Sequence, residues 1–261
     1  MMSMIRSGGR MMMHRFARAI AAAGLAVLLA VIPSAAAQVS PPVPARGAEA
    51  AAAEAKDTRE LVILVHGMGR SPASMWILAR RLEADGYRVV NFGYRSTRGS
   101  VAELGARLGR RAAERTGGAP RVHFVGHSLG TVIIRSMLAQ APPERVGRVV
   151  MLAPPNQGAA SADRWAPMLG GVMPHIRELR TTPQSTARTL PLPKGVDVGI
   201  IAGSRDHKVR VAETRLDGAR DHLVIRSFHS WMMNRSDVHR HIVTFLRHGR
   251  FSPARPSGDG G

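Results

Sequence analysis

Ser128 is the residue in this chain best placed to do chemistry. It stands in Gly126-His127-Ser128-Leu129-Gly130, a G-x-S-x-G pentapeptide. A serine hydroxyl is a weak nucleophile until a base takes its proton, an acid orients that base, and donors stabilise the oxyanion that forms. Glycine is common here, 27 of 261 residues, so the bare pentapeptide is a weak signal. Its flanks strengthen it. Residues 122–125 are a short apolar run of strand length. Leu129, Val132, Ile133, Met137 and Leu138 recur at helical spacing behind it. That context predicts a sharp strand-to-helix turn with a strained serine, whose Oγ projects at the carboxyl end of a strand and the positive end of a helix. Gly126 and Gly130 leave out the side chains that would collide across such a turn. The competing reading is a tight turn carrying an incidental serine.

The partners must come from elements that end at the same edge of a sheet, so the elements come next. Apolar runs at 61–65, 87–92, 122–125, 148–152, 196–202 and 223–226 read as strands. Helical spacing or capping marks 72–84, 100–115 (Ser100 as N-cap with Glu103 in capping-box position), the stretch after Ser128, and 236–247. Strands alternating with helices predict an α/β fold with a mostly parallel central sheet covered on both faces. Residues 154–195 are rich in Pro, Gly and Thr, without strong periodicity, and read as a short insertion before the late strands.

Functional groups in such a sheet gather beyond the carboxyl ends of its strands. The acids weighed after Ser128 are Asp163, Glu178, Asp197, Asp206, Glu213, Asp217 and Asp221. Asp197 opens a strand, and Asp217 and Asp221 precede one, which puts them at the wrong edge. Asp206 follows the 196–202 strand through Gly203-Ser204-Arg205 and is the choice, an Asx-turn role being its alternative. Among later histidines, His207 adjoins Asp206, His222 opens a strand, and His239, His241 and His248 lie on the last helix. His229 alone sits in a loop past the final strand; its alternative is a surface histidine. Two backbone amides can form the oxyanion hole: Leu129, after the serine, and Met68, in His66-Gly67-Met68-Gly69 after the first strand. Gly67 would let the backbone turn there. His66 ends a strand ahead of the serine and is not taken as the base.

Composition closes off other chemistries. With no cysteine, disulfides, thiolate catalysis and Cys-based zinc sites are excluded. His123 and His127 share a strand and invite a metal reading, but no acidic cluster accompanies them. They are read as core and elbow residues, with no metal and no cofactor required. The formal charge is +19, from 37 Lys+Arg against 18 Asp+Glu. The arginines are scattered without interleaved aromatics, so a solvated basic surface is expected rather than a nucleic-acid site, with weak attraction to anionic membranes left open.

The domain plan follows. Residues 1–37 read as a secretion signal: Arg6, Arg10, Arg15 and Arg18, a fourteen-residue apolar run at 19–32, then Ala35-Ala36-Ala37 as a cleavage site. The run is shorter than the roughly 20 residues of a membrane span. An exported, periplasmic or secreted protein is expected, an uncleaved membrane anchor being the alternative. Residues 38–59 form a Pro/Ala-rich linker, 60–250 the folded domain, and 251–261 a disordered tail. A monomer is expected.

Val65-His66-Gly67-Met68-Gly69, Gly126-His127-Ser128-Leu129-Gly130, the Gly203-Ser204-Arg205-Asp206 loop and Phe228-His229-Ser230 together resemble the lipase/esterase branch of the α/β-hydrolase superfamily. Residues 152–158 (L-A-P-P-N-Q-G) and 214–220 are similar to stretches of small, nearly lidless bacterial lipases. The resemblance covers about residues 60–250. It implies Ser128 as nucleophile, His229 as base, Asp206 as acid, Met68 and Leu129 as oxyanion donors, and a small-molecule ester or lipid substrate. Residues 159–194 depart from it. Met68, Trp76, Trp165, Met168, Trp231 and Met232 could line an acyl pocket or be plain core. A hydrolase-fold binding protein that no longer turns over, and a thioesterase or acyltransferase using the same three residues, are the alternatives.

Overall fold

The computed structural model describes residues 57–192 and 194–251. The expected signal (1–37), most of the expected linker (38–56) and the expected tail from 252 onward lie outside the described residues. Six strands form one sheet in the order β2-β1-β3-β4-β5-β6, every neighbouring pair parallel. They are β1 (Leu61–Val65), β2 (Arg88–Phe92), β3 (Val122–His127), β4 (Val146–Leu152), β5 (Val198–Gly203) and β6 (Asp221–Ile225). β1, β3 and β5 are buried at every position. A central parallel strand is covered on both faces, so its sequence reads as an unbroken apolar run.

The pleat divides the core in two. Leu61, Ile63 and Val65 face α2 (Val101–Thr116) and α3 (Leu129–Gln140). Val62 and Leu64 face α1 (Trp76–Ala84), which a 3₁₀ turn at Pro72–Met75 precedes, and α7 (Ser236–His248). The capping box read at Ser100 and Glu103 is present: Ser100 Oγ accepts from Glu103 N–H at 3.2 Å, and Glu103 Oε2 accepts from Ser100 N–H at 2.8 Å. Residues 159–192, where no strong period is visible, hold α4 (Ala160–Leu169), α5 (His175–Glu178) and α6 (Thr186–Thr189). These pack on the α2/α3 side through Ala162, Ala166, Ile176, Leu179 and Ala187.

One boundary moves. Phe251, read as the first residue of the tail, is buried against Phe245, and its N–H donates to Asp221 Oδ2 at 2.7 Å. A single aromatic after a helix-ending glycine gave no periodic signal. Among the described residues, no helix is long and apolar enough to cross a membrane.

Candidate active site

β3 ends at His127 and α3 begins at Leu129, with only Ser128 between. Ser128 has to reverse the chain between them. It does so at φ 53°, one of two non-glycine residues described with positive φ. For a residue with a Cβ that conformation costs on the order of 1–3 kcal/mol and persists only where the surroundings enforce it. They do: Ser128 N–H donates to Leu152 O at 2.9 Å, and Ser128 O accepts from Thr131 N–H at 2.9 Å. The glycines matter for closeness. A Cβ on Gly130 would lie 2.2 Å from the Val65 carbonyl oxygen, and one on Gly126 would lie 2.9 Å from Thr131 N. The helix start is therefore pressed onto the end of β1, which carries the next loop to the serine.

That loop is His66-Gly67-Met68-Gly69. A Cβ on Gly67 would stand 3.2 Å from Ser128 Cβ and 2.9 Å from His127 Nδ1. Gly67 thus serves close approach. The turning expected of it falls to Gly69, at φ 67°. His66 is fully buried and stacked on Tyr94 at 4.2 Å, and the Tyr94 hydroxyl donates to His66 O at 2.5 Å. Its Nδ1–H donates to Gly67 O at 3.0 Å, and burial holds its pKa below the usual histidine value. His66 is a clamp on the loop. Neither the Met68 nor the Leu129 amide donates to another described group, so both are free for a ligand.

The acid and base come from the far half of the sheet. Asp206 lies just beyond β5 and His229 just beyond β6; both are buried, at 6% and 7% exposure. His229 Nδ1–H donates to Asp206 Oδ2 at 2.6 Å. In the neutral ring the lone pair is then on Nε2. Asp206 Oδ1 accepts from Lys208 N–H at 2.8 Å and Val209 N–H at 2.9 Å. Asp206 thus closes an Asx-type turn with one oxygen and bonds the His229 ring with the other. Of the other acids, Asp217 is exposed and the remaining five are committed elsewhere. Glu178 accepts from Val101 N–H, Asp163 from Thr181, and Glu213 from Ala160 N–H. Asp197 pairs with Arg148, and Asp221 holds Phe251 N–H.

His127 does more than fill the elbow. Its Nε2–H donates to the carbonyl of His229 at 2.9 Å, tying the serine's own strand to the histidine loop, and the two rings lie 4.7 Å apart. Its other nitrogen is buried without a partner. Burial, then the neighbouring His229, then Arg70 and Lys208 hold its pKa well below the usual value. His123 instead bonds Arg148 N–H and Glu60. The two histidines do not converge, and among the described residues no group of three His, Asp or Glu could hold a metal ion.

Ser128 and His229 line one cavity of about 180 Å³. Met68, Ala162, Trp165, Ile176 and Leu179 give it an apolar wall, and Arg70, Lys208, Ser161 and Ser230 a polar rim. The insertion thus supplies much of the wall. Of the expected acyl-pocket residues only Met68 and Trp165 are there. Met232 is fully buried in the core beside α7, while Trp76, Met168 and Trp231 are exposed at 61%, 71% and 66%. Sequence reasoning also missed Arg135. It lies on α3 at 0% exposure, donating to Ala187 O at 2.8 Å, Asn156 Oδ1 at 3.2 Å and the Leu190 carbonyl. Burial lowers its pKa to about 10. The available signal was that α3 is apolar on nearly every face, so its arginine must be enclosed as well.

A family model described as alpha/beta hydrolase fold matches residues 60–193. Several solved structures share the fold. The mature form of Bacillus licheniformis lipase BlEst2 aligns with a TM-score of 0.60 at 17% identity, over 73% of this chain and 91% of its own. Paleococcus ferrophilus monoacylglycerol lipase aligns at 0.52 and 18%, over 74% and 96%. Pyrococcus furiosus esterase Pf2001 aligns at 0.52 and 17%, over 73% and 83%. No curated protein matches the sequence. The match across more than half of the chain and the all-parallel six-stranded sheet give the conclusion that the chain belongs to the alpha/beta hydrolase fold family.

Proposed function

We propose that this protein hydrolyses small carboxylic esters through an acyl-enzyme on Ser128. The observation that carries the reading is the 2.6 Å bond from His229 Nδ1 to Asp206 Oδ2, with His229 and the strained Ser128 lining one cavity. Ser128 Oγ attacks the ester carbonyl while His229 Nε2 takes its proton. The Met68 and Leu129 amides hold the oxyanion. The protonated His229, steadied by Asp206, then gives its proton to the departing alkoxide, and the C–O bond to the alcohol breaks. Water enters, His229 takes its proton, the tetrahedral adduct collapses, and Ser128 regains its hydrogen as the carboxylic acid leaves. A cavity of about 180 Å³ is smaller than the 300–1,000 Å³ common for drug-sized ligands and favours short acyl chains. Lipase and esterase neighbours on the same fold are consistent with ester substrates.

A panel of para-nitrophenyl esters of increasing chain length, wild type beside Ser128→Ala, tests this. Turnover peaking at short chains and absent in the variant is expected, with a fluorophosphonate labelling Ser128. Binding without turnover or labelling would return the protein to the non-catalytic reading. Preferred turnover of thioesters, or acyl transfer to an added alcohol, would move it to a thioesterase or acyltransferase. The charged, apolar and Ala-x-Ala pattern of residues 1–37 further supports export with cleavage after Ala37. N-terminal sequencing of the exported protein checks it, an intact N-terminus pointing to a retained anchor.

A further inference from the structure

The rim of the Ser128 cavity carries two cations and no carboxylate. Arg70 follows the Met68 loop, and Lys208 follows Asp206, so they reach the rim from opposite halves of the sheet. Both side chains are exposed, and neither forms an ion pair or side-chain hydrogen bond among the described residues. The backbone beneath each is fixed: Arg70 O accepts from Ser96 Oγ at 3.0 Å, and Lys208 O accepts from Ser161 Oγ at 2.7 Å. Asp206, the acid in Lys208's own loop, is buried and fully used by His229 and two amides.

We propose that Arg70 and Lys208 select esters that carry an anionic oxyacid group, a carboxylate or a phosphate, beside the scissile bond. The inference rests on the ester-hydrolase reading and deepens it. Both charges also help depress the pKa of His127, immediately under the site, so their fields reach the place where a bound ester would lie. An anion in the cavity supplies the counter-charge that both lack, while a neutral ester of the same shape leaves them facing water. The wider positive charge of the chain draws anions to the molecule everywhere. A preference located at these two side chains differs from that background in vanishing when they alone are removed.

The test compares kcat/KM of the full chain for matched pairs: mono-para-nitrophenyl succinate against para-nitrophenyl butyrate, and para-acetoxybenzoate against its methyl ester. Vesicles of phosphatidylglycerol against phosphatidylcholine form a second arm, which tells a lipid phosphate from a free acid. Wild type is expected to favour the anionic partner by about tenfold in at least one arm, and less at high salt. The Arg70→Ala/Lys208→Ala double variant should lose that preference, read as the ratio of kcat/KM within each matched pair. The charge-conserving Arg70→Lys/Lys208→Arg variant should keep it. Arg240→Ala, the loss of one exposed charge on α7 away from the cavity, should leave it intact. Equal rates on both partners in every arm would overturn the proposal, as would a preference that survives the double variant or falls equally in Arg240→Ala. Turnover of neutral esters that depends on Ser128, without anion preference, sinks only this inference; no turnover of any ester sinks the hydrolase reading and this one with it.

Discussion

The elbow at Ser128 and the insertion at 159–192 face each other across one cavity, and they are held in different ways. The elbow is fixed by backbone: Ser128 N–H on Leu152 O, Thr131 N–H on Ser128 O, and Gly130 pressed against the Val65 carbonyl. The insertion hangs from side chains. Arg135 holds the carbonyls of Ala187 and Leu190, Glu178 takes Val101 N–H, and Glu213 takes Ala160 N–H. Backbone contacts of the first kind tolerate almost no substitution. Contacts of the second kind can be exchanged one at a time. The difference separates the part that carries Ser128 from the part that lines the rest of the cavity.

Breaking the elbow should do the most damage. Ser128→Ala is expected to lower ester turnover on the order of 10⁵-fold while the thermal melt stays close to wild type; a folded variant that keeps its rate would remove Ser128 from the chemistry. Asp206→Asn should follow at about 10⁴-fold in kcat, because the His229 tautomer is then wrong. Asp221→Asn, at the opposite edge, should leave kcat near normal. Gly130→Ala forces a Cβ to 2.2 Å from Val65 O and should cost more than about 3 kcal/mol in urea unfolding. Gly171→Ala meets nothing within 4 Å and serves as its control.

Breaking the insertion should be gentler. Arg135→Met leaves the Ala187 and Leu190 carbonyls without a donor and should cost about 2 kcal/mol. Faster amide exchange across 159–192 and a broader chain-length profile should accompany it, with turnover of the shortest ester kept. If exchange accelerates equally at the elbow, the two regions are one cooperative unit and the contrast fails. Mild acid gives the smallest effect. His127 beneath the elbow and His175 in the insertion both have lowered pKa values, mainly through burial. The unfolded chain therefore binds protons first as pH drops through the ordinary histidine value near 6.5. Stability is full above that value and falls below it, by at most about 1.4 kcal/mol per pH unit for each histidine. Urea midpoints between pH 7.5 and 5 read the total; His175→Gln and His127→Gln show which half gives way first.

The edge of the sheet could be read from the residues because the central strands β1, β3 and β5 are buried throughout, and a shift of one or two residues at a strand end does not change which edge a loop leaves from. Once the carboxyl edge was known, Asp206 and His229 fell at it, while Asp197 and Asp221 fell at the other. Their roles in catalysis remain for Ser128→Ala and Asp206→Asn to decide. The insertion was hidden for a physical reason. α4 carries Pro167 within it and buries only Ala162 and Ala166, while α5 and α6 are single turns. Small buried residues and one-turn helices leave no 3.6-residue period. Trp76 and Trp231 misled in the opposite direction: large aromatics suggest a pocket lining, yet both stand open to water.

The sheet order has a consequence for the timing of assembly. β3, with Ser128, is the third strand in the chain, whereas His229 arrives only after β6, the last. Contacts between segments so far apart in sequence form late. A nascent chain, or one clipped after α6, holds Ser128 without His229, so under the proposed chemistry a partly made copy would be inert toward esters.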